Sequence, residues 1–503
     1  MTAAKQSLMV EYSIDQIHQM FESGDITAEQ LTKDYLDRIE QLDRNGPELN
    51  AVIEINPDAL TIAKELDREY QNNGKTGNLH GIPVLIKDNL DTADKMKTTA
   101  GSVAIEKYGG KPEQDSFVVK QLRKAGAIIL GKTNLSEMAN FRGQNSVSGW
   151  SSRGGRTKNP YVLDRNPSGS SSGSAVAVAA NFCTVAIGTE TDGSVISPSQ
   201  TNGIVGIKPS IGLVSRSGII PIAHSQDTAG PMARNVKDAA ILLEVITGQD
   251  PEDPVTETAS DIDQNYTANL GDTSLKGKRL GILRKNLGFH PKVDQIINSV
   301  IKEMEEAGAE VVDVEMEYPE EWGSQEFNVL LYEYKFGLNK YFASRKNSEI
   351  HDIDDLIQYN KENEEITMPF FGQEHVESAA SKGDLDEAEY TEAMAAYEVF
   401  RENLTKLLDE NELDALIGPS GGPAWVTDLV NGDAYGGGTS QFAAVSGFTS
   451  ITIPAGYIHG LPIGLSFIGR RFDDKKIIQL GYAFEQLNPD RRHPPEFIET
   501  ISG

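Results

Sequence analysis

Cysteine is almost missing from this 503-residue chain: Cys183 stands alone. No internal disulfide can form, and zinc sites built from several thiolates are excluded. Histidine is scarce as well, with 8 residues scattered along the chain and none at a ligand-like spacing. Positive charge is in deficit, 46 Lys and Arg against 75 Asp and Glu, which leaves a formal net charge of −29. That balance disfavours nucleic acid phosphates and anionic lipid surfaces, both of which are bound through Lys and Arg. No apolar run approaches the ~18 residues that a membrane-spanning helix needs. Residues Met1 to Glu11 hold no apolar stretch of signal-peptide length. The expectation is a soluble cytoplasmic chain with no nucleic acid or membrane partner, no metal and no cofactor. Nothing in the pattern sets an oligomeric state.

What is present suits a globular chain: 38 % hydrophobic and 24 % charged residues, enough to bury a core at this length. The N-terminal segment, residues 1–75, reads as amphipathic helices from about Tyr12 to Asn72. Ser13 with Gln16, and Thr27 with Gln30, fit the capping box, in which a hydroxyl and a side-chain amide satisfy orphan backbone donors at a helix start. Leu31, Tyr35, Ile39 and Leu42 then recur at helical spacing.

From Gly81 the pattern changes to short apolar runs bounded by Gly and Pro: Ile82 to Ile86, Ala127 to Leu130, Thr184 to Ile187, Ile451 to Ile453 and Ile463 to Ile468. Such runs suit strands buried on both faces. Leu280 to Leu283, Glu310 to Val314 and Ala415 to Gly418 add further strands. The economical architecture is α/β, one large sheet layered by helices in a single domain over residues 1–503. Residues 248–410 read as a variable, acidic, largely helical elaboration. Within it, Gly248 to Thr273 reads as a long polar surface connection, and Pro319 to Glu410 as helices closing over a site.

The centre of the chain is richest in chemistry. Asn166-Pro-Ser-Gly-Ser-Ser-Ser-Gly-Ser174 leads into a small-residue helix, then a strand, then Gly188-Thr-Glu-Thr-Asp-Gly-Ser194. Small residues let backbone approach backbone or substrate, and glycine permits dihedrals that aim successive amides at one point. A Ser/Gly cluster is more often a flexible linker, but this one is flanked by an apolar helix and strand. A serine nucleophile needs a base. His80 and His224 are available, and so is a lysine made neutral by burial. Lys87, after the apolar run Ile82 to Ile86, fits that description, although a surface lysine at a strand end fits the same position.

Taken together, these segments resemble the amidase signature family. The resemblance is carried by Gly81-Ile-Pro-Val-Leu-Ile-Lys87-Asp88-Asn89, Pro167-Ser-Gly-Ser-Ser-Ser-Gly-Ser174 and Gly188-Thr-Glu-Thr-Asp-Gly-Ser194, in the family's order. It extends to Gly131–Asn140, Gly203–Pro209, Asp227–Arg234 and Gly460–Leu465, and is weak between about Gly248 and Glu410. It implies the amidase signature fold and amide hydrolysis through an acyl-enzyme. In that reading Ser194 is the nucleophile, Ser170 a bridging serine on a cis peptide bond, and Lys87 the base. The backbone amides of Thr191, Asp192, Gly193 and Ser194 would form the oxyanion hole.

The sequence departs from the commonest pattern at Ser168, Ser172, Glu190, Asp192 and Ile196. Its Glu-Thr-Asp-Gly-Ser version is most similar to the bacterial peptide amidase branch, which implies a peptide or small-molecule amide substrate. The same serines and lysine would also fit the amidase-like component of a glutamine-dependent tRNA amidotransferase. Two other spellings are chance matches. Gly126–Thr133 spells a phosphate-binding loop but has a strand inside it, and Ser299 to Lys302 spells S-x-x-K on a charged helix. Phe370 and Phe371 read as core packing or an apolar pocket wall.

Overall fold

The computed structural model describes residues 10–317 and 322–501. Met1 to Met9, where the absence of a leader was read, lie outside them, as does Pro319, where the acidic helical stretch was expected to begin.

Among the described residues the strands are β1 (Val52–Ile55), β2 (Pro83–Lys87), β3 (Ile128–Thr133), β4 (Trp150–Ser151), β5 (Gly155–Arg156), β6 (Val185–Glu190), β7 (Val205–Lys208), β8 (Thr228–Ala233), β9 (Arg279–Leu283), β10 (Glu310–Val314), β11 (Ala415–Pro419), β12 (Thr449–Ile458) and β13 (Leu461–Gly469). Eleven of them form one sheet in the order β1-β3-β2-β6-β8-β7-β12-β13-β11-β9-β10, and β4 pairs with β5 separately. The sheet is mixed: β2 runs parallel to β3 and β6, while β6 pairs antiparallel with β8. Every residue of β2, β3 and β6 is buried, as expected for continuous apolar runs with helices on both faces. The helix Ser172–Ala179 packs on β2, β3 and β6, and Asp474–Leu487 on β12 and β13. The expected α/β architecture is the one observed.

Three strands of the large sheet escaped the sequence reading. β1 interrupts the N-terminal segment read as helical; its Val-Ile-Glu-Ile is β-branched but only four residues long, too short to register against helical spacing. β7 and β8 carry glycine, and β8 also proline, which ordinarily argue against a strand. Their reason is packing: a Cβ on Gly230 would sit 2.2 Å from the Ile207 carbonyl oxygen on β7.

At the N-terminus, Ser13 and Gln16 form the full capping box. Thr27 accepts from the Gln30 amide, but the Gln30 side chain turns instead to Asp34 Oδ1 at 2.8 Å. The polar stretch after Gly248 is less loose than it reads. Asp250 and Asp253 are buried, accepting from Ser215 at 2.6 Å and from Arg216 at 2.8 Å. Beyond residue 321 the acidic region is helical at Trp322–Ala343, Ile353–Glu362, Glu374–Ala380 and Ala388–Glu410.

Candidate active site

Parallel pairing builds the site. Ile86 of β2 lies opposite Ile187 of β6, so the carboxyl ends of both strands finish side by side, with Lys87 beside Thr189. Lys87 is fully buried. Its Nζ lies 2.8 Å from Ser170 Oγ, 2.9 Å from Thr189 Oγ1 and 3.2 Å from the Thr189 carbonyl oxygen. Asn89 Nδ2 donates to the same Thr189 hydroxyl oxygen at 3.0 Å. Burial pushes Lys87 down to about 7, against the upward pull of Asp227 and Glu190. A lysine near neutrality can accept a proton at physiological pH, which a surface lysine cannot.

Ser170 reaches this amine from the Ser/Gly segment just before the helix Ser172–Ala179. The Gly169–Ser170 peptide is cis, and Ser168 holds a left-handed φ of 61°. The segment is locked on every side. Ser168 Oγ lies 2.7 Å from Ser197 Oγ, and Ser172 Oγ donates to the Ser168 carbonyl at 2.6 Å. The Ser170 carbonyl accepts from the Ser136 amide at 3.1 Å. Among the described residues, this cluster is an ordered, buried part of the core rather than a linker.

The turn after β6 carries Thr191, Asp192, Gly193 and Ser194. Gly193 has φ 73°, the left-handed region that glycine occupies without a Cβ penalty. Glu190 Oε2 accepts from the amides of Val195 at 2.7 Å and Ile196 at 2.9 Å, fixing the turn onto the helix Ile196–Thr201. A shorter aspartate at position 190 would have to draw the turn closer. The carbonyls of Gly193 and Ser194 accept from Ser197 and Ser171 at 2.7 and 3.2 Å.

Ser170, Thr191, Asp192, Gly193 and Ser194 line one cavity of about 470 Å³. Lys87 stands behind it, reached through Ser170. Much of the remaining wall comes from residues 139–141, 143–146 and 148, from Leu330 and His375 of the helical elaboration, and from a loop bearing Trp425, Asp433 and Tyr435. Sequence reasoning missed Thr189, Asn89 and that loop. The run Gly436-Gly-Gly438 beside Tyr435 was a visible signal, since such runs mark close approach or unusual turns.

Other candidates lie elsewhere. His80 is buried under the N-terminal helices, its ring nitrogens 2.8 Å from Thr76 Oγ1 and 3.1 Å from the Leu66 carbonyl. His224 lines a separate cavity of about 60 Å³ and faces Glu333 at 3.4 Å. Cys183 is buried, its thiol pushed up to about 12 by desolvation, and behaves as a small hydrophobe. Phe371 packs edge-on against Trp150 at 5.1 Å between ring centres. The phosphate-loop spelling holds β3 inside it. Ser299 is on the exposed side of the helix Pro291–Glu306. No group of metal-ligating side chains and no helix long and apolar enough to cross a membrane occurs among the described residues.

The chain is an α/β protein with a serine-lined cavity, and residues 30–478 match the family model described as Amidase. The chain belongs to the amidase family and is an amidase, a hydrolase of carbon–nitrogen bonds. It is 41 % identical over 500 residues to a probable amidase of Arabidopsis thaliana, covering 97 % of this chain and 92 % of that one. It is similar to the solved structure of native peptide amidase from Stenotrophomonas maltophilia, at 45 % identity and TM-score 0.92, covering 97 % of this chain and 99 % of that one. A glutamyl-tRNA(Gln) amidotransferase component from Thermoanaerobacter pseudethanolicus is 34 % identical over 501 residues, 96 % of this chain and 97 % of its own.

Proposed function

We propose that this amidase hydrolyses primary amides, peptide C-terminal amides among them, through a relay of Lys87, Ser170 and Ser194. The observation that carries the reading is the buried Lys87 amine 2.8 Å from Ser170 Oγ, in the wall of the cavity that Ser194 also lines. A neutral amine has two hydrogens and one lone pair. The Thr189 carbonyl and hydroxyl take the hydrogens, which leaves the lone pair facing the Ser170 hydroxyl.

In the proposed reaction Ser194 Oγ attacks the amide carbon. Its proton passes to Ser170 while the Ser170 proton passes to Lys87. The amides of Thr191, Asp192, Gly193 and Ser194 receive the oxyanion; the Gly193 and Ser194 carbonyls are already engaged with protein donors, consistent with amides facing the cavity. The C–N bond then breaks as Ser170 returns a proton to the departing nitrogen, and ammonia leaves. Water attacks the Ser194 ester by the same relay in reverse, giving a carboxylic acid and the free serine. No metal or cofactor enters the scheme, and the substrate is a small-molecule or peptide amide.

Peptide amides are favoured because the peptide amidase likeness spans nearly the whole chain at 45 % identity. The amidotransferase reading rests on 34 % identity. Ammonia release from the primary amide of a short blocked peptide, by the purified chain alone, tests the choice between them. Turnover without a partner is expected; turnover only in the presence of partner proteins would favour the second reading. Ser194→Ala should lower kcat/KM by roughly 10⁴-fold or more with the melting temperature unchanged. Full activity in that variant would overturn the relay.

A further inference from the structure

The cavity wall is uneven in charge. The acids on it are Asp192 and Asp433, and no Lys or Arg occurs among the described residues that line it. We infer that this site sorts amides by charge, accepting acyl groups that are neutral or carry an ammonium and rejecting those that carry a carboxylate. The inference rests on the amide-hydrolase reading above and names its substrate class.

The donors around Asp433 favour its anion. Its Oδ2 accepts from the Ser148 amide at 2.9 Å, and its Oδ1 from Trp425 Nε1 at 3.1 Å and Asn166 Nδ2 at 3.3 Å. Burial pushes its carboxyl up, and the Ser148 and Trp425 donors oppose that shift. Three N–H donors favour the anion, because a carboxylate accepts more strongly than a carboxylic acid. Asp192, two residues before Ser194, has a buried Oδ1 without a partner in the protein, and burial pushes its carboxyl up against the pull of the Ser440 side chain and the charge of Lys208. Behind it Glu326 is pushed up to about 8, first by burial and then by the charge of Asp192.

The cations behind the wall do not line the cavity. Lys87 is held by Ser170 and Thr189 and is near neutrality. Lys208 is fully buried and donates to the carbonyls of Pro209 and Phe448, and its charge is shared among Glu190, Asp474 and Asp192. Arg142 is buried against Glu137 at 2.6 Å and the Thr367 carbonyl. His375, the one histidine on the wall, is pushed down by burial between Phe141 and Phe327 and so is uncharged at neutral pH. The net charge of −29 adds a field of the same sign, which a cleft focuses. A carboxylate brought about 5 Å from the ionised Asp433 meets repulsion worth roughly a hundredfold in affinity at an effective dielectric of about 20.

The test compares three blocked dipeptide amides that differ only in the last residue: lysine, methionine or glutamate. With the wild-type chain, the glutamyl amide should show kcat/KM at least tenfold below the methionyl amide, and the lysyl amide should equal or exceed it. High salt should narrow the gap. Asn145→Arg, at an exposed position on the cavity rim, should raise the ratio of the glutamyl to the methionyl kcat/KM at least tenfold. Glutamyl and methionyl rates within threefold of each other would overturn the inference and leave the amidase reading standing. If none of the three were hydrolysed, the peptide-amide reading would fall. Calorimetric binding of the same amides to Ser194→Ala would then still decide the charge rule, equal affinities overturning it.

Discussion

Around Lys87, backbones and hydroxyls meet directly. Ser170, Thr189 and Asn89 form a chain of contacts between 2.8 and 3.0 Å with no large side chain between them. Across residues 322–410 the joints are made by bulky groups: Trp322 stacks on Phe400 at 4.4 Å, and Tyr332 meets Tyr390 at 5.6 Å between ring centres. The first region fixes geometry because small residues have few rotamers and short reach. The second buries area, Leu331, Tyr334 and Leu338 packing with Leu135, Met138 and Ile222 of the catalytic core, and polar anchors reinforce that contact. One of them is Arg142. Its guanidinium pairs with Glu137, donates to the Thr367 carbonyl and lies over the Trp150 and Phe371 rings. Its carbonyl accepts from the His375 and Val376 amides. One residue thus ties the wall bearing His375 to the strand ends that bear the chemistry.

Breaking that anchor is the largest expected effect on stability. Arg142→Ala strands the Glu137 carboxylate, which is about as buried as its partner, and should cost roughly 3–5 kcal/mol in denaturant unfolding. Arg142→Met combined with Glu137→Leu should recover much of that loss, because no uncompensated charge remains. A cost below about 1 kcal/mol for the single substitution would show that the elaboration does not depend on this anchor.

The catalytic region is sharpened by pH. Lys87 has to be neutral to accept a proton, and its pKa is depressed to about 7. Below that value the neutral fraction falls about tenfold per pH unit, so kcat/KM should climb with pH to about 7 and level off above it. Asp227, pushed up to about 6 by burial, ionises over the lower part of this range. Its charge favours the protonated lysine as it forms, so the acid limb should be shallower there than a single titration gives. A rate that peaks in acid and declines above pH 7 would remove lysine as the base.

The two regions were unequally legible. Lys87, Ser170 and Ser194 stood in contiguous motifs with glycine and proline punctuation, and the strands that position them are apolar runs, so both pattern and architecture were readable. Thr189 also lay inside a quoted motif, but its role depends on β2 and β6 running parallel in one register, which residue types alone do not specify. β8 was hidden because its small residues answer to a neighbouring strand rather than to strand propensity. The wall from Leu330, His375 and Asp433 was least legible. Those residues come from three distant segments, and nothing local marks a side chain that meets its partners only after folding.

Thr189 gives the finest test of how the small-residue region works. Its hydroxyl oxygen receives Asn89 Nδ2 and lies 2.9 Å from the Lys87 amine. Thr189→Val keeps the shape and removes the acceptor. Protonated Lys87 has three hydrogens to satisfy and neutral Lys87 two, so the loss weighs more on the charged form and moves the acid limb of the pH profile downward. The neutral amine also loses one of the two contacts that turn its lone pair toward Ser170, so the plateau of kcat should fall, by about tenfold, with KM little changed. Thr189→Ser restores the hydroxyl and should restore both the plateau and the limb. A uniform loss of activity with an unmoved limb, or no recovery with serine, would mean that Thr189 only fills space, and that the lysine is oriented by Ser170 and the strand ends alone.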